Sequence, residues 1–244
     1  MPDFGRLEQD RLTHTTPVIA PLYAPPPWPL PAARILKVTF ETDTAPLLDW
    51  IPPRLSRSSP PYAMVTVMHC RKSPVGPFTL ATQYAGCRAG MFIRAFSLQA
   101  IVDNPVALSG LRELWGVPCK LGEVSFKASA KAASATVSRK GAAIAELGFT
   151  EGEQIDAESV RLDPALNVRV FASIQDGRPY EALQIVQVDP DYEISQSLRG
   201  KGYLRYPSQS ESDPWHLLPV RNIISASYCV ADTEMPLARF VMPY

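Results

Sequence analysis

Two adjacent residues, Cys119 and Lys120, carry the chemistry that this sequence suggests most clearly. A thiol can act as a nucleophile or an acid, and a lysine amine can form a Schiff base with a carbonyl compound. His69 is the one candidate general base, because His14 and His216 lie in polar or proline-rich surroundings. Each candidate also has a structural explanation: a buried cysteine is commonly an apolar filler, the lysine an ion-pair partner, and the histidine a core residue bonded to backbone.

The stretch from Asn104 to Lys127 must position the two residues. Asn104 can cap a helix, Pro105 suits its first position, and Gly116 is placed to end it. The alternation that follows, VSFKA, is typical of a half-buried strand. Cys119 and Lys120 therefore lie at the joint between a helix and a strand. As neighbours in an extended segment they point to opposite faces, so only one of them enters a given pocket.

The motif RELWGVPCKLG around this joint resembles the acetoacetate decarboxylase family, whose members carry a Pro-Lys-Lys-Leu-Gly-like turn. The first of those two lysines forms the Schiff base in the family. That position is Cys119 here, and the second lysine is Lys120. The segments FETD, DNPVAL, QDG and LPVRNIISASYCVAD also resemble family blocks in their order and spacing, so the resemblance covers most of the chain.

The resemblance also implies positions for substrate binding. The family's arginine for the substrate carboxylate falls on Ala33, with Arg34 one residue away, and its two glutamates fall near Val65 and on Leu80. Glu113 is shared with the family pattern and is a further candidate, although an ion pair at the helix end would explain it equally well. Apolar residues and a cysteine thus replace four ionisable groups. An unpaired buried carboxylate costs several kcal/mol, so a larger, neutral, hydrophobic carbonyl compound should fit better than acetoacetate.

The fold expected from the strand patterns is mainly β, with eight or more strands and two short helices. The resemblance implies a closed, antiparallel, cone-like β-barrel in a homo-oligomer. We predict a proline-rich N-terminal arm over residues 1–31, lying against the body or a neighbouring subunit, and a single β-barrel domain over residues 32–244. Hairpin turns are expected at Lys140-Gly141 and Asp176-Gly177, with one continuous strand over Val124 to Arg139.

Composition excludes several classes of function. Lys plus Arg and Asp plus Glu both total 24, which gives no excess charge for nucleic acid or an anionic membrane. The N-terminus MPDFGRLEQDR lacks the apolar core of a signal peptide, so a cytoplasmic protein is expected. Four widely spaced cysteines indicate neither a disulfide framework nor a metal site. No glycine-rich phosphate motif is present, and no cofactor is expected.

Three functions remain open from the sequence. The first is a carbon-carbon lyase of decarboxylase type that acts on a hydrophobic β-keto acid or polyketide-like carbonyl substrate, in secondary metabolism. The second is an isomerase or cyclase that shapes a neutral hydrophobic substrate in an apolar pocket without a Schiff base. The third is a non-catalytic protein that binds an apolar ligand.

Overall fold

The computed structural model describes residues 4–244, which form fourteen β-strands, two α-helices and three 3-10 helices. The mainly β class expected from the sequence is confirmed. The elements are β1 (Trp28–Glu41), α1 (Thr44–Trp50), β2 (Ser56–Arg57), β3 (Tyr62–Cys70), β4 (Phe78–Ala89), β5 (Phe92–Val102), α2 (Pro105–Trp115), β6 (Cys119–Leu121), β7 (Glu123–Ala128), β8 (Ala133–Arg139), β9 (Ala142–Gln154), β10 (Ala165–Ala172), β11 (Tyr180–Val188), β12 (Tyr192–Arg205), β13 (Asn222–Met235) and β14 (Arg239–Pro243), with 3-10 helices at Gln9–Arg11, Ala157–Ser159 and Trp215–Leu217.

The strands form one sheet in the order β14-β11-β10-β5-β4-β3-β1-β13-β12-β9-β8-β7, with β2 beside β4 and β6 beside β5. Most pairs are antiparallel, whereas β6 and β10 run parallel to β5. Across the described chain, the end strands β14 and β7 do not pair with each other. The expectation of a closed barrel is therefore wrong: hydrogen bonds leave the curled sheet open at two edges.

Helix α2 begins and ends where the sequence signals place it. The side chain of Asn104 accepts hydrogen bonds of 2.9 Å from the backbone N–H groups of Val106 and Ala107. Gly116 follows the helix with φ +65°, a left-handed conformation that costs a residue with a side chain about 1–2 kcal/mol. The cap and the stop signal thus fix both ends of the helix that precedes Cys119.

Two sequence expectations about strands are wrong. The predicted strand from Val124 to Arg139 is broken by a turn, in which the backbone N–H and the hydroxyl of Ser129 both donate to the carbonyl of Ala132. Strand β12 is absent from the sequence-based assignment because its polar residues and two glycines hide the alternation. A Cβ on Gly200 would lie 2.3 Å from the carbonyl oxygen of Thr150, so close contact between β12 and β9 requires glycine there.

The N-terminal arm packs against the body of the same chain at Tyr23 and Trp28. Tyr23 is buried, and its hydroxyl donates to Glu113 of α2 at 2.5 Å. Trp28 is also fully buried, and its ring meets that of Trp115 edge to face at 4.7 Å. Strand β1 starts at Trp28, inside the segment assigned to the arm, and the division at residue 31 stays a prediction.

Two hydrophobic clusters fill the two sides of the sheet. In the larger one, Val65 and Leu36 pack with Val137 and Leu147, so that β8 and β9 cover one face of the central strands. The smaller one joins Trp28 and Trp115 to Leu80 and Cys119 beneath α2 and the arm. Cys119 therefore lies on the side of the sheet away from β8 and β9. No helix within residues 4–244 is long and apolar enough to cross a membrane.

Candidate functional site

Strand register places Cys119 at one end of a row of side chains on one face of the sheet. Residues that are directly paired across strands point to the same face. Cys119 pairs with Ala100, which pairs with Thr82. Thr82 pairs with Thr66, and Thr66 pairs with Lys37 on β1. We call the side that carries this row the Cys119 face, and the other side, which carries Val65 and Val67, the Val65 face.

The backbone around Cys119 is held by α2 and β5. The N–H of Val117 bonds to the carbonyl of Leu111 at 3.0 Å, which ties the chain after Gly116 to the last turn of the helix. Beyond it, the N–H of Ala100 donates to the carbonyl of Pro118 at 3.1 Å. Arg112 donates to the carbonyl of Cys119 at 3.2 Å. Every one of these contacts fixes main chain, so the thiol itself is free for another role.

The thiol of Cys119 is buried and protonated. The residue is 1% exposed, and burial raises its pKa to about 12, an effect that the nearby Arg112 only partly opposes. A thiolate is the nucleophilic form of cysteine, and cationic neighbours or helix N-termini normally stabilise it. At neutral pH this cysteine is therefore a small, weakly polar wall residue and a poor nucleophile.

Three hydroxyl groups lie on the same face of the sheet as Cys119, and the sequence analysis did not identify them. Thr82 lies in the paired row, Tyr84 follows two residues later on β4, and Ser97 pairs with Tyr84 from β5. Burial raises the pKa of Tyr84, opposed by the neighbouring hydroxyls of Thr82 and Ser97, and Cys119 adds a small rise. Tyr84 thus keeps its proton and can donate a hydrogen bond to a carbonyl or enolate oxygen.

Two of the predicted substrate-binding positions lie on the Cys119 face. Leu80 lies two residues before Thr82 on β4, so the two side chains point to the same face. Ala33 pairs with Ala231 and lies two residues before Ile35 on β1. The neighbours of Ile35 on β3 and β13 share this face. Both are buried. They pack in the same buried apolar cluster as Cys119, and their assignment to substrate stays a prediction.

Val65, Arg34 and His69 lie on the Val65 face, so the structure does not bring them to Cys119. Val65 pairs with Val38 in the larger hydrophobic cluster, and Arg34 pairs with His69. Nδ1 of His69 lies 3.0 Å from the hydroxyl of Thr79. Burial lowers the pKa of His69, and the Arg34 guanidinium lowers it further. This neutral histidine has the whole thickness of the sheet between itself and the thiol.

Lys120 also points away from Cys119, because it pairs with Ile101 on the Val65 side. Its amine lies 3.2 Å from Asp213 and donates to the carbonyl of Ser212. Arg139 binds the same carboxylate at 2.8 Å. Burial raises the pKa of Asp213, but hydrogen bonds from Arg139, Ser212 and Lys120 outweigh it and hold the pKa below its ordinary value.

Glu113 holds the arm against helix α2. It accepts hydrogen bonds from Tyr23 and from the hydroxyl of Thr15, the latter at 3.2 Å. Burial and the bond to Glu113 raise the pKa of Tyr23 to about 12. The sequence suggested an ion pair for Glu113, whereas its partners in the structure are two hydroxyl groups of the arm, about ninety positions earlier in the chain.

The register puts the expected position Val65 one residue away from the residue that faces the same side as Cys119. Thr66, not its neighbour Val65, shares the face of Cys119. Once the pairing of β6, β5 and β4 is known, Thr82 is found by following the pairs from Cys119 to Ala100 and from Ala100 to Thr82. Lys37 carried a second signal: it is a lysine in the middle of an apolar strand. Within residues 4–244 no cluster of three His, Cys, Asp or Glu side chains is arranged to hold a metal ion.

Known proteins match this chain over nearly its whole length. The family model described as acetoacetate decarboxylase (ADC) matches residues 15–244. The chain is 26% identical to Decarboxylase DEC1 of Cochliobolus heterostrophus over 238 residues, covering 92% of each, and 23% identical to an acetoacetate decarboxylase of Burkholderia cenocepacia, covering 93% and 94%. A solved acetoacetate decarboxylase from Legionella pneumophila aligns with TM-score 0.87 at 19% identity, covering 100% of this chain and 99% of that one. The chain belongs to the acetoacetate decarboxylase family.

Proposed function

We propose that this protein is a decarboxylase-like enzyme that acts on a hydrophobic β-keto acid or polyketide-like carbonyl compound, without a Schiff base at the family's lysine position. The observation that carries the proposal is the buried, protonated Cys119 at that position, on one face with Thr82 and Tyr84. An apolar wall from Ala33 and Leu80 supports a hydrophobic substrate. A small hydrophobic carbonyl substrate in secondary metabolism, and a homo-oligomeric state, belong to the same proposal.

The chemistry follows from the protonation state of the site. Loss of carbon dioxide from a β-keto acid leaves an electron pair that becomes an enolate, with its charge on the former carbonyl oxygen. Protonated hydroxyl groups placed at that oxygen stabilise the charge as it develops. Tyr84 and Thr82 are the donors on this face, and a proton from Tyr84 or solvent completes the product at carbon. A substrate bound among the buried apolar side chains of this face would also tend to lose its localised carboxylate charge, since such surroundings solvate that charge poorly.

An isomerase or cyclase of a neutral hydrophobic substrate is the second candidate. It is supported by the neutral side chains of Ala100 and Thr82 in the paired row and by the protonated Tyr84 on the same face. Such an enzyme would fold a substrate into a reactive conformation and polarise its carbonyl through Tyr84. In that case the reaction would release no carbon dioxide.

One experiment separates these functions. The protein is incubated with 3-oxodecanoic acid and 3-oxo-5-phenylpentanoic acid, and with their methyl esters, against blanks for spontaneous decarboxylation. Carbon dioxide from the acids supports a decarboxylase; conversion of the esters without it supports an isomerase or cyclase; binding without turnover supports a non-catalytic protein. Tyr84→Phe should lower the rate about 10²-fold or more if this hydroxyl stabilises the enolate. Tyr180→Phe, on an exposed hairpin, is the matched control.

A further inference from the structure

Lys37 lies on the Cys119 face at the opposite end of the paired row, in the middle of β1. The sequence contains seven lysines, and all lie within the described residues 4–244. Lys37 is the buried one among them, at 8% exposure. Charged lysines are almost never fully buried without a reason, so its position requires a partner or a function.

The Lys37 amine has two polar contacts, both with the segment that precedes β10. It donates a hydrogen bond of 2.7 Å to the carbonyl of Arg161 and lies 3.8 Å from the carboxylate of Asp163. Burial lowers the pKa of Lys37, and the Asp163 carboxylate only partly offsets this. A single donated hydrogen bond leaves the lone pair of a neutral amine unused. Buried lysines of this kind serve as bases and as Schiff-base nucleophiles.

The amine opens into a pocket of about 340 Å³. Tyr62 and Thr39 line this pocket. Three charged residues line it as well: Arg161 and Asp163 from the segment before β10, and Arg199 from β12. Arg161 is exposed, with its Nε 3.6 Å from Asp163, and Arg199 donates to the carbonyl of Ser159 at 3.0 Å. An arginine fork recognises carboxylates by paired hydrogen bonds. A nucleophilic amine, an acid-base carboxylate and two guanidinium groups therefore line one pocket.

We propose that Lys37 is the nucleophile of a separate site that binds small keto acids as imines, with Asp163 handling protons and Arg161 or Arg199 binding the carboxylate. Asp163 first takes a proton from the Lys37 ammonium. The free amine adds to the substrate carbonyl carbon, and its proton passes to the carbonyl oxygen, giving a carbinolamine. Asp163 returns its proton to that hydroxyl, which leaves as one molecule of water, and the protonated imine remains.

This site goes beyond the proposed function, because its pocket is lined by Lys37 and its ligand is anionic, whereas the residues that follow Cys119 in the paired row, Ala100 and Thr82, are neutral. The alternative for Lys37 is a structural ion pair that fastens residues 161–163 to β1. That role would survive replacement by arginine and would leave no covalent product with a keto acid. Imine formation is thus the readout that separates the two.

Imine trapping tests the site directly. The protein is incubated at pH 6.5 with acetoacetate and sodium cyanoborohydride, which delivers hydride to an iminium carbon and fixes the ligand as a secondary amine. Trypsin cannot cleave after an alkylated lysine, so modification of Lys37 yields the undigested peptide 35–54, which mass spectrometry identifies. We expect this peptide to become the main labelled species while ordinary exposed lysines stay mostly protonated. No labelling, or labelling spread evenly over the exposed lysines, overturns the proposal.

Matched reagents and variants sharpen the result. Methyl acetoacetate, which lacks the negative charge, should label Lys37 about tenfold more slowly than acetoacetate, and Arg199→Gln should reduce that preference. Lys37→Arg keeps a cation for Asp163 and should abolish the label, whereas Lys120→Arg and Cys119→Ala should leave it intact. Equal labelling by acid and ester refutes the arginine clamp. Loss of the label in Cys119→Ala overturns the proposal that the Lys37 site is separate from the region around Cys119. The wild-type mapping stands even where a variant fails to fold.

Discussion

The protonation state of Cys119 makes the most discriminating prediction about the family position. Its pKa is raised from 9.0 to about 12, a difference of three units, so the thiolate fraction at pH 8 falls about a thousandfold relative to an ordinary cysteine. Iodoacetamide reacts with the thiolate alone. In the native protein Cys119 should therefore be alkylated at least about a thousandfold more slowly than in urea, where the residue is unfolded and exposed.

Peptide mapping is needed because all four cysteines are buried. Trypsin releases Cys119 in the peptide 113–120, whose carbamidomethylation is followed over time at several pH values. His69→Ala should leave the rate within about twofold of wild type, since His69 lies on the Val65 face. Fast modification near neutral pH that slows in His69→Ala would refute this reasoning. A cysteine-histidine pair would then become the leading mechanism.

Other predictions concern the elements that position the site. Gly116→Ala should lower the free energy of unfolding by at least about 2 kcal/mol in urea titrations, because it combines φ +65° with a Cβ 2.9 Å from the backbone of β10; an unchanged midpoint would contradict the geometry. Lys120→Ala should cost about 1 kcal/mol or less and leave turnover unchanged, and a large loss of turnover would return Lys120 to the site. Asp213→Asn should cost more at pH 7 than at pH 3, because the lowered pKa of Asp213 gives stability that is present above pH ~4 and lost as pH falls through the folded-state pKa. Glu113→Ala should cost about 1–3 kcal/mol and speed proteolysis within the arm, because the hydroxyl of Tyr23 loses its acceptor; a protected arm would show that other contacts hold it.

Local signals determined how much of the fold could be predicted. Helix α2 has a cap, an apolar stripe and a terminating glycine within thirteen residues, and both of its ends were predicted correctly. Strand β3 (Tyr62–Cys70) can be recognised from sequence in the same way, because its alternation is uninterrupted. Strand β12 was missed because its glycines serve contacts with β9, which lies far away in sequence. The open edges of the sheet depend on which distant strands pair, and no local pattern records that.

The site was harder to predict than the fold because a sheet reverses its side chains at every residue. The family resemblance placed a substrate-binding position near Val65, whereas its neighbour Thr66 shares the face of Cys119. It also offered Lys120, whose neighbour in space is Asp213, 93 positions further along the chain. Lys37 was not identified from the sequence, because its partners Arg161 and Asp163 lie in a segment without a regular alternation of apolar and polar residues. Only the three-dimensional register joins these groups.

The main-chain contacts around Cys119 have a consequence for how this family can change its chemistry. Helix α2, the turn at Gly116 and the pairing of β6 with β5 hold the Cα of residue 119 without using its side chain. Any residue encoded there is delivered to the same place on the sheet. Replacing residue 119 therefore changes the chemical group presented on this face while the main-chain contacts that position it stay in place.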